Sequence, residues 1–241
     1  MTTKLTIGWM YPNLLNLHGE RGSVQMLEKV GKAMGLEIEI RRIEDFDDPI
    51  PFDTLDMMMF LPGEIATFHH LIPALKAQKE GLDRYLNGGG FLLALGTTGM
   101  LFGKTITMED GETMMECLNY MDMVAKERKY VFGDDLHFRI DGTKQELIGS
   151  QIQMMDVVSK TPLGTVLYGR GNNGSGQEGS RWKNLIYTNC LGPLFVKNPW
   201  FCQYILQQIV LHKAGLKEFN DTIAQASFDA TLKFIENKPK Q

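Results

Sequence analysis

Hydrophobic and polar positions fall into two regimes along the chain. In the first, short apolar runs alternate with stretches of helical spacing. Leu5 to Met10 predicts a strand, and Asn13 to Gly22 a polar loop. Ser23 to Met34 places Val24, Met26, Leu27, Val30 and Met34 on one helical face, and Gly35 closes it. Leu36 to Ile43 alternates apolar with charged residues, as a strand with one wetter face near a sheet edge would. Glu44 to Asp53 is acidic and twice interrupted by proline, which predicts a loop. Leu55 to Leu61 is a third strand, ending at Pro62-Gly63, and Leu71 to Leu86 is the next helix. This alternation predicts an α/β fold with a mainly parallel sheet and helices on its faces.

Beyond Gly103 the pattern shortens and becomes β-like. Ile106-Thr107, Tyr130-Val131, Leu136 to Ile140, Ile152 to Val158, Gly164 to Tyr168 and Leu185 to Thr188 are candidate strands. Turn chemistry separates them at Asp110-Gly111, Asp141-Gly142 and Gly171 to Gly176. Asn198 and Pro199 then read as a helix N-cap and first turn leading into Trp200 to Lys213. Residues 218 to 238 carry a looser helical pattern, read as a packing helix or an interaction element. The expected division is a main domain over 1–212 and a helical extension over 213–241, packed on that domain or used for interaction.

The centre of the pattern is FLLALGTTGMLFG, Phe91 to Gly103. Four apolar residues follow the turn Asn87 to Gly90 and predict a buried parallel strand. Leu95-Gly96-Thr97-Thr98-Gly99 then supplies small residues where a strand would turn abruptly into a helix. That is the shape of a nucleophile elbow, whose apex side chain projects above the sheet while backbone N–H groups cradle an oxyanion. Here the apex is Gly96, which has no side chain.

This stretch resembles the LLAICGGYQLLG-type elbow of the class I glutamine amidotransferases, in the cobyric acid synthase-like branch (CobB/CobQ) that includes GatD. Three other segments resemble that family in the same order. They are YPNLLNLHGERGSVQML (Tyr11 to Leu27), TPLGTVLYGRGNNGSGQEG (Thr161 to Gly179) and LGPLFVKNP (Leu191 to Pro199), the last against HGPLLPKNP. The resemblance implies a flavodoxin-like or Rossmann-like three-layer domain with C-terminal helices added. It also implies that Gly96 occupies the cysteine nucleophile slot and Leu191 the histidine base slot. The family's glycine-rich loop after strand three is here Leu61 to Ala66, with Gly63 kept and Glu64 beside it. Family members of this branch work beside an ammonia-consuming synthetase, the Mur-ligase-like MurT in the case of GatD.

The remaining chemistry narrows the choice. A glutaminase of this kind needs a thiolate, a proton shuttle and oxyanion donors. Losing the nucleophile or the base costs on the order of 10⁶ in turnover in a comparable hydrolase. Substitutes to weigh are the hydroxyls of Thr97 and Thr98, the thiol of Cys190 beside the vacated base slot, and His69 and His70 after strand three, expected near the pocket rim. Gly63, Glu64, Gly96, Thr97 and Thr98 would line a small-ligand site of main-chain donors at the strand ends.

The chain has 241 residues with 43% apolar content, a net charge of −4 and three cysteines. The charge argues against nucleic-acid or anionic-membrane partners, and the odd cysteine count predicts reduced thiols and a cytoplasmic location. No run approaches the ~18 apolar residues of a membrane span. The N-terminus lacks the pattern of a signal peptide. No metal-ligand spacing occurs, and no cofactor is expected. The sequence therefore predicts a glutamine amidotransferase-like protein without the glutaminase groups, acting as a scaffold or regulatory subunit of an amidating ligase. The alternatives are an active glutamine-hydrolysing subunit using displaced groups, and a module binding glutamine or another small carboxylate.

Overall fold

A computed structural model describes residues 3–210 and 216–238. The chain runs β1 (Thr3–Met10), α1 (Arg21–Met34), β2 (Leu36–Ile43), β3 (Met57–Phe60), α2 (Phe68–Ala77), α3 (Lys79–Asn87) and β4 (Phe91–Leu95). A 3₁₀ segment follows over Gly96–Phe102. Then come β5 (Thr105–Thr107), β6 (Met114–Glu116), β7 (Met123–Ile140), β8 (Glu146–Ser159), β9 (Gly164–Tyr168), β10 (Gln177–Glu178), β11 (Ser180–Trp182) and β12 (Leu185–Thr188). Helices α4 (Leu194–Lys197), α5 (Pro199–Ile209) and α6 (Thr222–Glu236) close the chain.

The first sheet has the order β11-β12-β4-β3-β1-β2, parallel except for the antiparallel edge strand β11. Every residue of β3, β4 and β12 is buried, which requires cover on both faces and explains their unbroken apolar runs. β2 lies at the opposite edge, and its charged positions face outward, as its alternation predicts. α1 ends at Gly35, whose φ of 85° is the left-handed cap that glycine adopts at low cost.

The second sheet, β10-β9-β7-β5-β6 with β8 on β7, is built on the long β7–β8 hairpin. One hydrophobic cluster runs from Leu5 and Trp9 through Phe102 to Phe138 and Leu147, so both sheets share a core. Two links bring the second sheet to the strand ends of the first. Ser150 and Leu191 form an isolated antiparallel bridge. The buried Asn198 side chain accepts from Ile148 N–H at 2.9 Å and donates to Ile148 O at 2.8 Å. Asn198 precedes α5 as expected, but it spends its amide on β8 instead of capping the helix.

Four elements differ from the sequence pattern. The expected helix over 71–86 is two helices, because Gln78 turns its backbone out and holds the preceding loop. Its Oε1 accepts from Ile50 N–H at 2.7 Å, and its Nε2 donates to Asp48 O at 3.1 Å. The turn after Gly96 is 3₁₀ rather than α, with both of its glycines packed tightly. Tyr130-Val131 and Leu136 to Ile140 belong to the single strand β7, interrupted by a bulge. The last predicted helix ends at Ile209, and residues 211–213 of that prediction lie outside the described residues, as does the 212/213 boundary.

Helix α6 is capped by Asp221, which accepts from the N–H groups of Ile223 and Ala224. It lies on the body through Phe228, whose ring stands edge-on to Trp200 at 4.4 Å, and through buried Ile235. Lys238 beyond its end pairs with Asp134 at 3.0 Å and Asp135 at 2.6 Å. Among the described residues, no helix is long and apolar enough to cross a membrane.

Candidate functional site

The strand-to-turn bend at the end of β4 has the backbone of an elbow. Gly96 adopts φ +59°, a left-handed conformation that side-chain-bearing residues take only under strain. A Cβ placed there would stand 3.2 Å from Pro62 Cγ and 3.6 Å from Leu191 Cδ1. A Cβ at Gly96 would thus meet Leu191 at ordinary van der Waals distance, so the two positions that the family resemblance pairs lie side by side. Pro62 and Leu191 are both buried, Leu191 completely, so the space between them is an apolar plug.

The neighbouring hydroxyls are committed to the backbone. Thr97 Oγ1 accepts from Gly63 N–H at 3.2 Å and donates to Gly63 O at 2.5 Å. The Gly63 amide is therefore satisfied from within the protein. Thr98, fully buried, directs its hydroxyl at Leu95 O (2.9 Å) and Phe60 O (3.1 Å). Gly63 itself is pressed against Leu15, 2.4 Å from where its Cβ would be, so the loop after β1 covers this strand end. Glu64 is exposed, outside the contact between Gly63 and Thr97.

Cys190 is fully buried, and its Sγ lies 2.5 Å from where a Cβ on Gly149 would be. Burial, reinforced by the carboxylates of Glu178 and Glu20, pushes its thiol well above the usual range. A thiol held neutral in this way is a poor nucleophile.

The rings of His69 and His70 lie tilted against each other, centroids 3.9 Å apart, exposed in an open cleft of about 600 Å³ lined also by Phe46, Pro49, Pro73 and Gln78. Among the described residues, no hydrogen bond or ring contact joins either to Gly96 or Thr97. The structure brings together Gly63, Gly96, Thr97 and Leu191, with Thr98 and Cys190 adjacent in sequence, while the two histidines line a cleft with Phe46 and Pro73.

Two buried carboxylates escape sequence reasoning. Glu20, fully buried, accepts from Gly192 N–H at 2.5 Å, Leu194 N–H at 3.1 Å and Ser23 Oγ at 2.8 Å. It ties the start of α1 to the segment just after Leu191, and burial raises its carboxyl above the ordinary value. Glu178, also fully buried, accepts from Thr188 Oγ1 at 2.7 Å and Asn189 N–H at 2.6 Å, while Oε2 has no partner. Burial moves its carboxyl up to about 7. Both lie in segments quoted above for their family likeness, HGERG and GQEG, and that was the available signal. Polar loop positions otherwise read as solvated. Among the described residues, no group of three His, Cys, Asp or Glu side chains is placed to hold a metal ion.

The mainly parallel α/β sheet with a positive-φ bend after its fourth strand has the fold of the class I glutamine amidotransferases. In fold the chain is similar to a crystallised glutamine amidotransferase (TM-score 0.53, 13% identity, 85% of this chain and 99% of that one). It is likewise similar to PurLQS from Thermotoga maritima (TM-score 0.56, 12% identity, 87% and 98%). No protein-family model matches the chain.

Among curated proteins it resembles the GatD subunit of lipid II isoglutaminyl synthase (glutamine-hydrolyzing) from Streptococcus pneumoniae. The two are 24% identical over 233 residues, 92% of this chain and 88% of that one. The Staphylococcus aureus GatD subunit is 23% identical over 244 residues, 99% and 98% of the two chains. The chain is GatD-like over nearly its full length.

Proposed function

We propose that this GatD-like chain is a non-hydrolysing subunit that serves as scaffold or regulator for an amidating ligase. The observation that carries it is the contact at the bend. A Cβ added at Gly96 would stand 3.6 Å from Leu191 Cδ1, and neither a glycine nor a leucine supplies a reactive atom. The candidate substitutes do not repair this. Thr97 and Thr98 direct their hydroxyls at carbonyls, Cys190 is buried as a neutral thiol, and the histidines line a cleft with Phe46 and Pro73. The Gly63 amide is already capped by Thr97.

The partner on this reading is a Mur-ligase-like subunit that activates a carboxylate and adds nitrogen to it. Support comes from the two relatives, each a subunit of a glutamine-hydrolyzing synthase in its own bacterium. Reconstitution tests it. A Mur-ligase-like subunit from the same organism, mixed with this chain, should amidate its acceptor with free ammonium and not with glutamine. Glutamine-driven amidation would overturn the reading.

A further inference from the structure

The molecule carries a projecting knob and, on a different face, a cleft of complementary chemistry. The knob is the bulge in β7. Glu127 pairs with Met155 and Phe132 with Gln153, so the four residues Arg128 to Val131 stand opposite the single residue Met154 and are pushed out of the ladder. The base of the bulge is braced. Arg128 Nη1 donates to both oxygens of Asp156 at 2.8 and 2.9 Å, and Arg170 Nη2 donates to the same carboxylate at 3.0 Å. Both guanidiniums lie over the Phe132 ring, at 6.0 and 5.7 Å.

The tip is unusually apolar for a surface loop. Tyr130 is 71% exposed and Val131 57%. Lys129 lies against the Tyr130 ring at 5.6 Å, and neither Lys129 nor Lys126 forms an ion pair among the described residues. An exposed aromatic on a braced bulge, flanked by unpaired cations, is the composition of an interface anchor.

The cleft is a cavity of about 350 Å³ where α5 meets the start of α6, walled by Trp200 and Phe219 and rimmed by Asp221, Gln225 and Asp229. Asp221 is used by the helix cap and by Lys29 at 2.8 Å. Asp229 is exposed, and its recorded bond is to neutral Gln225, so its charge is unpaired among the described residues. Ile223, 81% exposed, extends the apolar surface at the same end of α6.

Within one copy the two cannot meet. Lys238, past the C-terminal end of α6, is anchored to Asp134 and Asp135 beside the bulge. The cleft lies at the other end of the helix, on the order of 20 Å away at 1.5 Å per residue.

We propose that the bulge of one copy seats in the α6 cleft of a second copy, with Tyr130 between Trp200 and Phe219 and Lys129 against Asp229. The contact is heterologous, since each copy offers one knob and one cleft. It uses different surfaces from the bend at Gly96 and stands apart from the reading of that site.

Sedimentation velocity on the full chain, from micromolar to millimolar concentration, tests it. The wild-type protein should shift to dimers and longer species as concentration rises. Tyr130→Ser and Asp229→Lys should each weaken association by roughly tenfold or more. Mixed one to one, they should recover a heterodimer, because the first variant keeps an intact cleft and the second an intact bulge. Lys129→Glu provides a second bulge variant, and circular dichroism confirms folding of each. A wild-type monomer throughout, association indifferent to these variants, or a mixture that does not recover the dimer would each overturn the proposal.

Discussion

Thr97 and Gly63 exchange two hydrogen bonds across the gap between the β3 and β4 ends. The Thr97 hydroxyl accepts from the Gly63 N–H at 3.2 Å and donates to the Gly63 carbonyl at 2.5 Å. One side chain therefore holds the loop that would otherwise offer its amide to a ligand. Thr97→Val keeps the shape and strands both Gly63 groups, at a cost of about 1–3 kcal/mol. Thr97→Ser keeps the bonds and should cost much less. Urea denaturation of the two variants checks this, and equal midpoints would show that the exchange contributes nothing.

The bend at Gly96 depends on its positive φ. Gly96→Ala would hold a β-carbon in the left-handed region, 3.2 Å from Pro62, and should destabilise the fold by roughly 1–2 kcal/mol. Thermal melts of the variant would show a lowered midpoint. An unchanged midpoint would mean that the backbone relaxes freely and the elbow geometry is not fixed.

Glu178 gives stability a pH dependence of definite sign. Its folded carboxyl lies at about 7 against 4.5 when unperturbed, so between those values the folded state binds more protons than the unfolded one. Stability from this group is fully present below about 4.5 and declines as pH rises through 7. Glu20, raised in the same direction by burial, acts in the same sense. Glu178→Gln cannot ionise, so relative to wild type it should gain stability between pH 5 and pH 8, on the order of a few kcal/mol. A wild-type minus variant difference that is flat with pH would contradict this.

All three cysteines are buried and free, and burial pushes the thiols up, Cys117 to about 12 and the other two well above the usual range. A disulfide reagent should react with none of them rapidly in native buffer and with all three in denaturant. Fast native labelling at Cys190 would reopen a role for it as a displaced nucleophile.

Much of the first sheet is legible in the sequence. β3, β4 and β12 are buried on both faces and so appear as unbroken apolar runs, and the Asn87 to Gly90 turn marks where β4 begins. The break at Gln78 is not legible, because glutamine favours helices and its two bonds to the Asp48–Ile50 loop arise only in the folded chain. β7 reads as fragments because Arg128 to Val131 leave the ladder and interrupt the alternation. At the bend, that glycine stands at position 96 and leucine at 191 is visible in the sequence alone. That Thr97 satisfies Gly63, and that Glu20 grips Gly192 across 172 positions, depends on contacts no local pattern encodes.

The central claim concerns chemistry at one bend, and the most direct measurement is glutamine hydrolysis. The purified chain, alone and with a Mur-ligase-like subunit, is incubated with glutamine labelled at the amide nitrogen, and ammonium and glutamate are followed by NMR. Release should stay at the level of a heat-denatured control. Turnover at an enzymatic rate, abolished by Cys190→Ala or Thr97→Val, would contradict the account and identify the group responsible.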